Sequence, residues 1–195
     1  MSSPELTDAE KMLKYVVPDY RRKRTFYHSQ EHFGVAREAL RKMLVRDGIE
    51  SVLDIGCGHG LGSLEIMASG IRYVGIDPIK GNVEQARTDN PRGDFRVGFA
   101  QELPFPDKSF DAVMNATAWE ILPTPQDCAV AMREMLRVAR RRVYSLDSDP
   151  HPRFMVERYL SVPPKLGLEI RRVHYNPDKD KAYNVWTVNL EGITA

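Results

Sequence analysis

Cysteine is scarce in this chain. Only Cys57 and Cys128 occur among 195 residues, and no C-x-x-C pair is present, which excludes a disulfide framework and a zinc site of the usual ligand spacing. Long apolar runs are lacking as well. No stretch approaches the roughly 20 residues that a helix needs to span a bilayer. The opening residues Met1-Ser2-Ser3-Pro4-Glu5 carry neither the basic nor the apolar region of a signal peptide. A surplus of either charge is missing too. Net charge is +1, so no global field draws the protein to nucleic acid or to an anionic membrane. These absences set the expectations: a reducing, cytoplasmic location, no membrane, no nucleic-acid partner and no metal. Two basic runs, Arg21-Arg22-Lys23-Arg24 and Arg140-Arg141-Arg142, are local exceptions, read as solvated helix ends or loops.

What is present is ordinary for a globular domain. Hydrophobic residues make up 42% and charged residues 28%, sufficient for one domain with a full core. Thr7-Asp8-Ala9-Glu10 opens a first helix, and Pro18 ends or bends it. A second helix is predicted over residues 29–46, with Phe33, Ala36, Leu40, Met43 and Leu44 on one face. Strands are predicted at 51–55, 72–76, 94–98, 110–115 and 143–146, with helices at 60–69, 81–90 and 126–140 between them. A helix over 151–160 and two last strands at 168–174 and 183–190 complete the chain. This alternation predicts an α/β fold with a mostly parallel sheet and helices on both faces. The final two strands, joined only by a loop, are expected as an antiparallel hairpin. The whole chain, 1–195, reads as a single domain, with 1–49 as a helical cap or lid and 50–195 as the core.

The densest signal is Val52-Leu53-Asp54-Ile55-Gly56-Cys57-Gly58-His59-Gly60-Leu61-Gly62. It reads as a buried strand entering a glycine turn and then a helix. The glycines permit conformations closed to residues with a Cβ, and they are expected to leave room for a ligand against the main chain. The helix that follows is expected to aim its free N–H groups and dipole at that room. Tyr73-Val74-Gly75-Ile76-Asp77 reads as the next strand. Asp77 lies about twenty residues past the turn, the spacing of an acid that accepts from ribose hydroxyls. A nicotinamide dinucleotide is disfavoured, because the third glycine of G-x-G-x-x-G is replaced by Leu61 or Ser63, depending on the starting glycine.

A third segment, Gly98-Phe99-Ala100-Gln101-Glu102-Leu103-Pro104-Phe105-Pro106-Asp107-Lys108-Ser109-Phe110-Asp111-Ala112-Val113, carries an L-P-F-P-D-x-S-F-D run. With the glycine turn and Asp77, it strongly resembles the class I S-adenosylmethionine-dependent methyltransferases, in the group that includes the ubiquinone/menaquinone and small-molecule enzymes. The resemblance covers residues 50–147 best. It implies a Rossmann-like, seven-stranded sheet with one reversed strand, and S-adenosylmethionine as cofactor. It further implies roles for individual residues. Asp54 and the backbone at Gly56, Cys57, Gly58 and Gly60 would serve the methionine moiety, and Asp77 the ribose diol. Pro78 and Ile79 would lie along the adenine, and the backbone at Ala100 or Gln101 would meet its edge. The Asn115 carbonyl would receive the cofactor ammonium. Phe99 departs from the pattern, standing where the group usually has an acid. Its ring either stacks on adenine or turns into the core. Cys57 is read as a small residue of the turn rather than a nucleophile.

Catalysis is less legible. Methyl transfer is an in-line displacement whose chief requirement is alignment, and a general base is optional. Glu120 aligns with a histidine common in relatives and is a candidate base or cation-binding group, with a salt-bridged carboxylate as the rival reading. Tyr27 and His28 sit in an aromatic segment with Tyr20 and Phe26 that either closes over the site or packs on the sheet. Trp119 is read as core or cleft wall, with a cation cage as the rival reading. Asp147-x-Asp149-x-His151 is weighed as a metal site and set aside, since the metal acid of catechol-type relatives is replaced by Asn115. The expectation is a small-molecule methyltransferase, monomeric or homodimeric. The alternatives are an RNA- or protein-directed methyltransferase and a non-catalytic S-adenosylmethionine-binding domain.

Overall fold

The computed structural model describes residues 30–118, 122, 125–148, 167–176 and 181–191. The elements run α1 (Gln30–Arg46), β1 (Ser51–Ile55), α2 (Ser63–Ala68), β2 (Arg72–Asp77), α3 (Lys80–Asp89), β3 (Asp94–Val97), β4 (Phe110–Ala116), α4 (Pro125–Val138), β5 (Ala139–Ser148), β6 (Gly167–Asn176) and β7 (Lys181–Asn189). The strands form one sheet in the order β3-β2-β1-β4-β5-β7-β6. β1 pairs in parallel with β2 and β4, and β7 runs antiparallel to both β5 and β6. The mostly parallel sheet with an antiparallel C-terminal pair is therefore what the order of elements predicts, and its Rossmann-like form is what the resemblance implies. The helices expected near residue 7 and over 151–160 lie outside the described residues.

Period-two alternation in the central strands divides the core into two layers. Val52, Tyr73, Ala112, Met114, Tyr144 and Leu146 face one side, where they meet Ala36, Leu40, Met43 and Leu44 of α1, Ile66 of α2, and Val83 and Ala86 of α3. Leu53, Ile55, Val74, Ile76 and Val113 face the other, against Cys128, Ala131, Met135 and Val138 of α4. α1 buries Ala36 and Leu44 completely. The described part of the segment expected as a cap over 1–49 is thus a layer of the core.

Two boundaries differ from expectation. β5 begins at Ala139 rather than near 143, and α4 stops at Val138. Arginine favours helix by propensity, but ion pairs hold this run extended. Arg140 pairs with Asp111, and Arg141 pairs with Glu191 at 2.8 Å while donating to the Asp47 and Gly48 carbonyls. Arg142 pairs with Asp47 at 3.6 Å and Glu191 at 3.4 Å. The second difference is α2, which spans only Ser63–Ala68 instead of 60–69.

Candidate active site

The chain turns back between β1 and β4, the strands on either side of the point where strand order reverses. Register brings the carboxyl ends of β1, β2 and β4 level, with Ile55 opposite both Ile76 and Asn115. In open α/β sheets a ligand crevice lies beyond such ends. Gly56, Gly58 and Gly60 occupy it with φ of 72°, 55° and 68°, the left-handed region that favours glycine. The Gly56 and Cys57 N–H groups donate to the Ile76 carbonyl at 2.8 and 3.0 Å, tying the turn to β2.

The structure corrects two expectations about this turn. The space a side chain would take at Gly60 is filled, since a Cβ there would lie 2.6 Å from the Phe95 ring. At Gly56 a Cβ would lie 2.7 Å from the Ala118 Cβ. Close packing, together with positive φ, therefore explains these two glycines, not open ground. The helix dipole is also a minor device here. α2 has fewer than two turns, and the N–H of Ser63 already donates to Gly60 and that of Ile66 to Gly62.

Asp77 stands at the end of β2 and is 4% exposed. Its Oδ2 accepts the Gly58 N–H at 3.0 Å. Its Oδ1 accepts the Ile79 N–H at 2.9 Å and the Asn82 side-chain amide at 3.0 Å. The Ile79 bond is a local Asx turn, and the Gly58 bond joins the two loops into one wall. Burial pushes the Asp77 carboxyl upward, opposed by these three donors and by His59 nearby. The His59 Nε2 lies 3.2 Å from Asn82 Oδ1.

Asp54 faces the same layer as Tyr73, whose hydroxyl donates to its Oδ2 at 2.7 Å. Asp54 Oδ1 is fully buried and has no hydrogen-bond partner among the described residues. Burial raises the Asp54 carboxyl to about 7, with the Tyr73 hydrogen bond opposing and the Asp77 charge adding. Burial and these two carboxylates push the Cys57 thiol far upward. Its sulfur would lie 2.8 Å from a Cβ at Gly75, so Cys57 fills the space that Gly75 leaves.

The remaining candidates divide. The Gly98 N–H donates to the Asp77 carbonyl at 3.2 Å, which brings the loop of Phe99, Ala100 and Gln101 to the same edge. Phe99 is half-buried and belongs to neither core layer, whereas Ala100 packs on the α4 side. Pro78 and Ile79 are half-buried at the start of α3. Asn115 is 1% exposed, and its Oδ1 accepts from Ser145 at 3.2 Å, so its side chain serves the β4–β5 contact. Just beyond, Thr117 holds a φ of 58°, a strained state for a β-branched residue, and its N–H donates to the Leu146 carbonyl at 2.7 Å. Glu120, Trp119, His28 and Tyr27 lie outside the described residues. No group of three His, Cys, Asp or Glu residues is placed to hold a metal among the described residues.

Tyr73, His59 and Asn82 were not legible as site residues. One signal for Asn82 was available. It falls on the inward face of α3 beside Val83 and Ala86, a polar residue at an apolar position.

Glycine turn, strand-end acid and strand order together form a Rossmann-like α/β fold of the kind found in methyltransferases. Residues 53–146 match the family model described as a methyltransferase domain. Over this segment the chain is similar to the S-adenosylmethionine-dependent methyltransferases. Among curated relatives, the fatty-acid O-methyltransferase of Mycolicibacterium smegmatis is 36% identical over 132 residues, covering 64% of this chain and 47% of that protein. The ubiquinone biosynthesis O-methyltransferase of Azorhizobium caulinodans is 37% identical over 106 residues, covering 52% of this chain and 39% of that protein. The chain thus spans less than half the length of these relatives. In fold, it is similar to the magnesium protoporphyrin IX methyltransferase of Synechocystis, with a TM-score of 0.70, 16% identity, and coverage of 96% of this chain and 99% of that one.

Proposed function

We propose that this protein transfers a methyl group from S-adenosylmethionine to a small-molecule acceptor. The observation that carries the reading is the pair of buried carboxylates at the strand-order reversal. Asp54 keeps one oxygen without a donor, and a buried acceptor in that state calls for a donor-bearing or cationic ligand group. Asp77 has acceptor capacity beside it. The residues present therefore fit the cofactor. In this reading Asp54, the backbone of Gly56, Cys57, Gly58 and Gly60, and the Asn115 carbonyl hold the amino-acid end. Asp77 holds the ribose. Pro78, Ile79, Phe99, Ala100 and Gln101 border the adenine.

The bound cofactor supplies a methyl carbon already activated by its sulfonium charge. The protein's share is alignment and exclusion of water, and alignment of this kind is worth about 7–11 kcal/mol. Asp54 and Asp77 fix the two ends of the donor, and the paired strands β1 and β2 carry them side by side. Glu120, His28 and Tyr27 remain the candidates for orienting or deprotonating the acceptor.

Two observations support a small acceptor. The relatives named above carry fatty-acid and ubiquinone-pathway activities in their names. The arginines at 140–142 are all engaged in ion pairs, so that run does not form an uncommitted basic patch. Titration calorimetry tests the cofactor. Asp77→Ala is expected to weaken S-adenosylmethionine binding about 10- to 100-fold, the value of a charge-assisted hydrogen bond. Unchanged affinity removes Asp77 from its role. Turnover against a panel of fatty acids and phenols tests the reaction, and tight binding without turnover on any acceptor favours a sensor instead.

A further inference from the structure

The ribose acid is partly spent before any ligand arrives. An ionised carboxylate offers about four acceptor positions, two per oxygen. Oδ1 of Asp77 already takes two donors, Ile79 N–H at 2.9 Å and Asn82 Nδ2 at 3.0 Å. Oδ2 takes one, from Gly58 at 3.0 Å. Asn82 is held in this orientation from its far side. A carboxylate only accepts, so the amide nitrogen must face Asp77, and the amide oxygen then receives His59 Nε2–H. Asn82 is 4% exposed and sits on α3, where it has little freedom to turn away.

We infer that Asp77 accepts only one hydroxyl of the cofactor ribose, through Oδ2, because Asn82 and Ile79 saturate Oδ1, and that Asn82, oriented by His59, is the positioning residue that imposes this one-hydroxyl grip. The inference rests on the cofactor reading above and narrows it, since a diol gripped by both oxygens is the simpler expectation for an acid at this place. The second hydroxyl is then recognised without Asp77.

The test is calorimetric titration of the full chain at pH 8 with S-adenosylhomocysteine and with its 2′-deoxy and 3′-deoxy forms, in the native protein and in Asp77→Asn. Deleting one hydroxyl is expected to weaken binding about 10- to 100-fold in the native protein and far less in Asp77→Asn. Deleting the other is expected to cost the same factor in both proteins. In Asn82→Ala, where Oδ1 regains an acceptor position, that second deletion becomes several-fold costlier than in the native protein. Coupling of both hydroxyls to Asp77, or of neither, overturns the inference. So does an Asn82→Ala variant that binds the parent compound yet leaves the hydroxyl pattern unchanged. If Asn82→Ala fails to fold, the native and Asp77→Asn comparison decides alone. A native protein that binds no S-adenosylhomocysteine overturns the cofactor reading itself, a result distinct from binding with two coupled hydroxyls.

Discussion

Asp54 is a buried acid with an oxygen that no described residue satisfies. Burial pushes its carboxyl up to about 7 in the folded chain, against an ordinary 3.8. Below about pH 4 both folded and unfolded forms are protonated, and the residue costs nothing. Between pH 4 and 7 the unfolded chain ionises first, so stability falls as pH rises, and the full penalty is present above 7. Three units correspond to about 4 kcal/mol. Asp54→Asn is therefore expected to melt higher than the native protein at pH 8, with the advantage gone by pH 4, while its affinity for S-adenosylmethionine drops. Thermal melts across that range check the sign, and an advantage that grows toward acid would contradict it. Tyr73 belongs to the same argument. Among the described residues its hydroxyl is the one donor to the Asp54 carboxyl, and nothing in a strand pattern marks a tyrosine as the partner of an acid on the neighbouring strand.

At the scale of elements, the glycine turn is a packing device. Gly60 combines a φ of 68° with a neighbour, Phe95, that is 2% exposed. Gly60→Ala is expected to lose roughly 2–4 kcal/mol, from left-handed strain and overpacking together. Denaturant titration measures this, and the loss shrinks in a Phe95→Leu background if the clash is the cause. The turn's existence was legible from Val52 to Gly62, because an apolar run followed by spaced glycines has few other uses. What each glycine meets was not, because Phe95 arrives from β3, over thirty residues away in sequence. The start of β5 was missed for a related reason. Arg140, Arg141 and Arg142 find Asp111, Glu191 and Asp47 only once the sheet exists.

For the whole molecule, the carboxyl edge of β1, β2 and β4 is one place where polar groups are buried. Asp54, Asp77 and Asn115 are all buried there. A ligand bound at this edge adds its binding energy to folding. At a hundred times its Kd, S-adenosylhomocysteine is expected to add about 2.7 kcal/mol, raising Tm by about 5–11 °C for a domain of this size. NAD at the same concentration is expected to give no shift. A shift with NAD alone would assign the edge to a different cofactor.

The sequence by itself determined the alternation of elements, the place of the glycine turn and the acid at the end of β2, since these depend on periodicity and on residues whose backbone or charge has few alternatives. Tertiary structure alone decided that Gly60 meets Phe95 and Gly56 meets Ala118, that Tyr73 and Asn82 hold the two acids, and that three arginines with helical preference lie in a strand. Those outcomes depend on side chains from distant elements meeting in a low-dielectric interior, where one hydrogen bond or one ring outweighs local propensity.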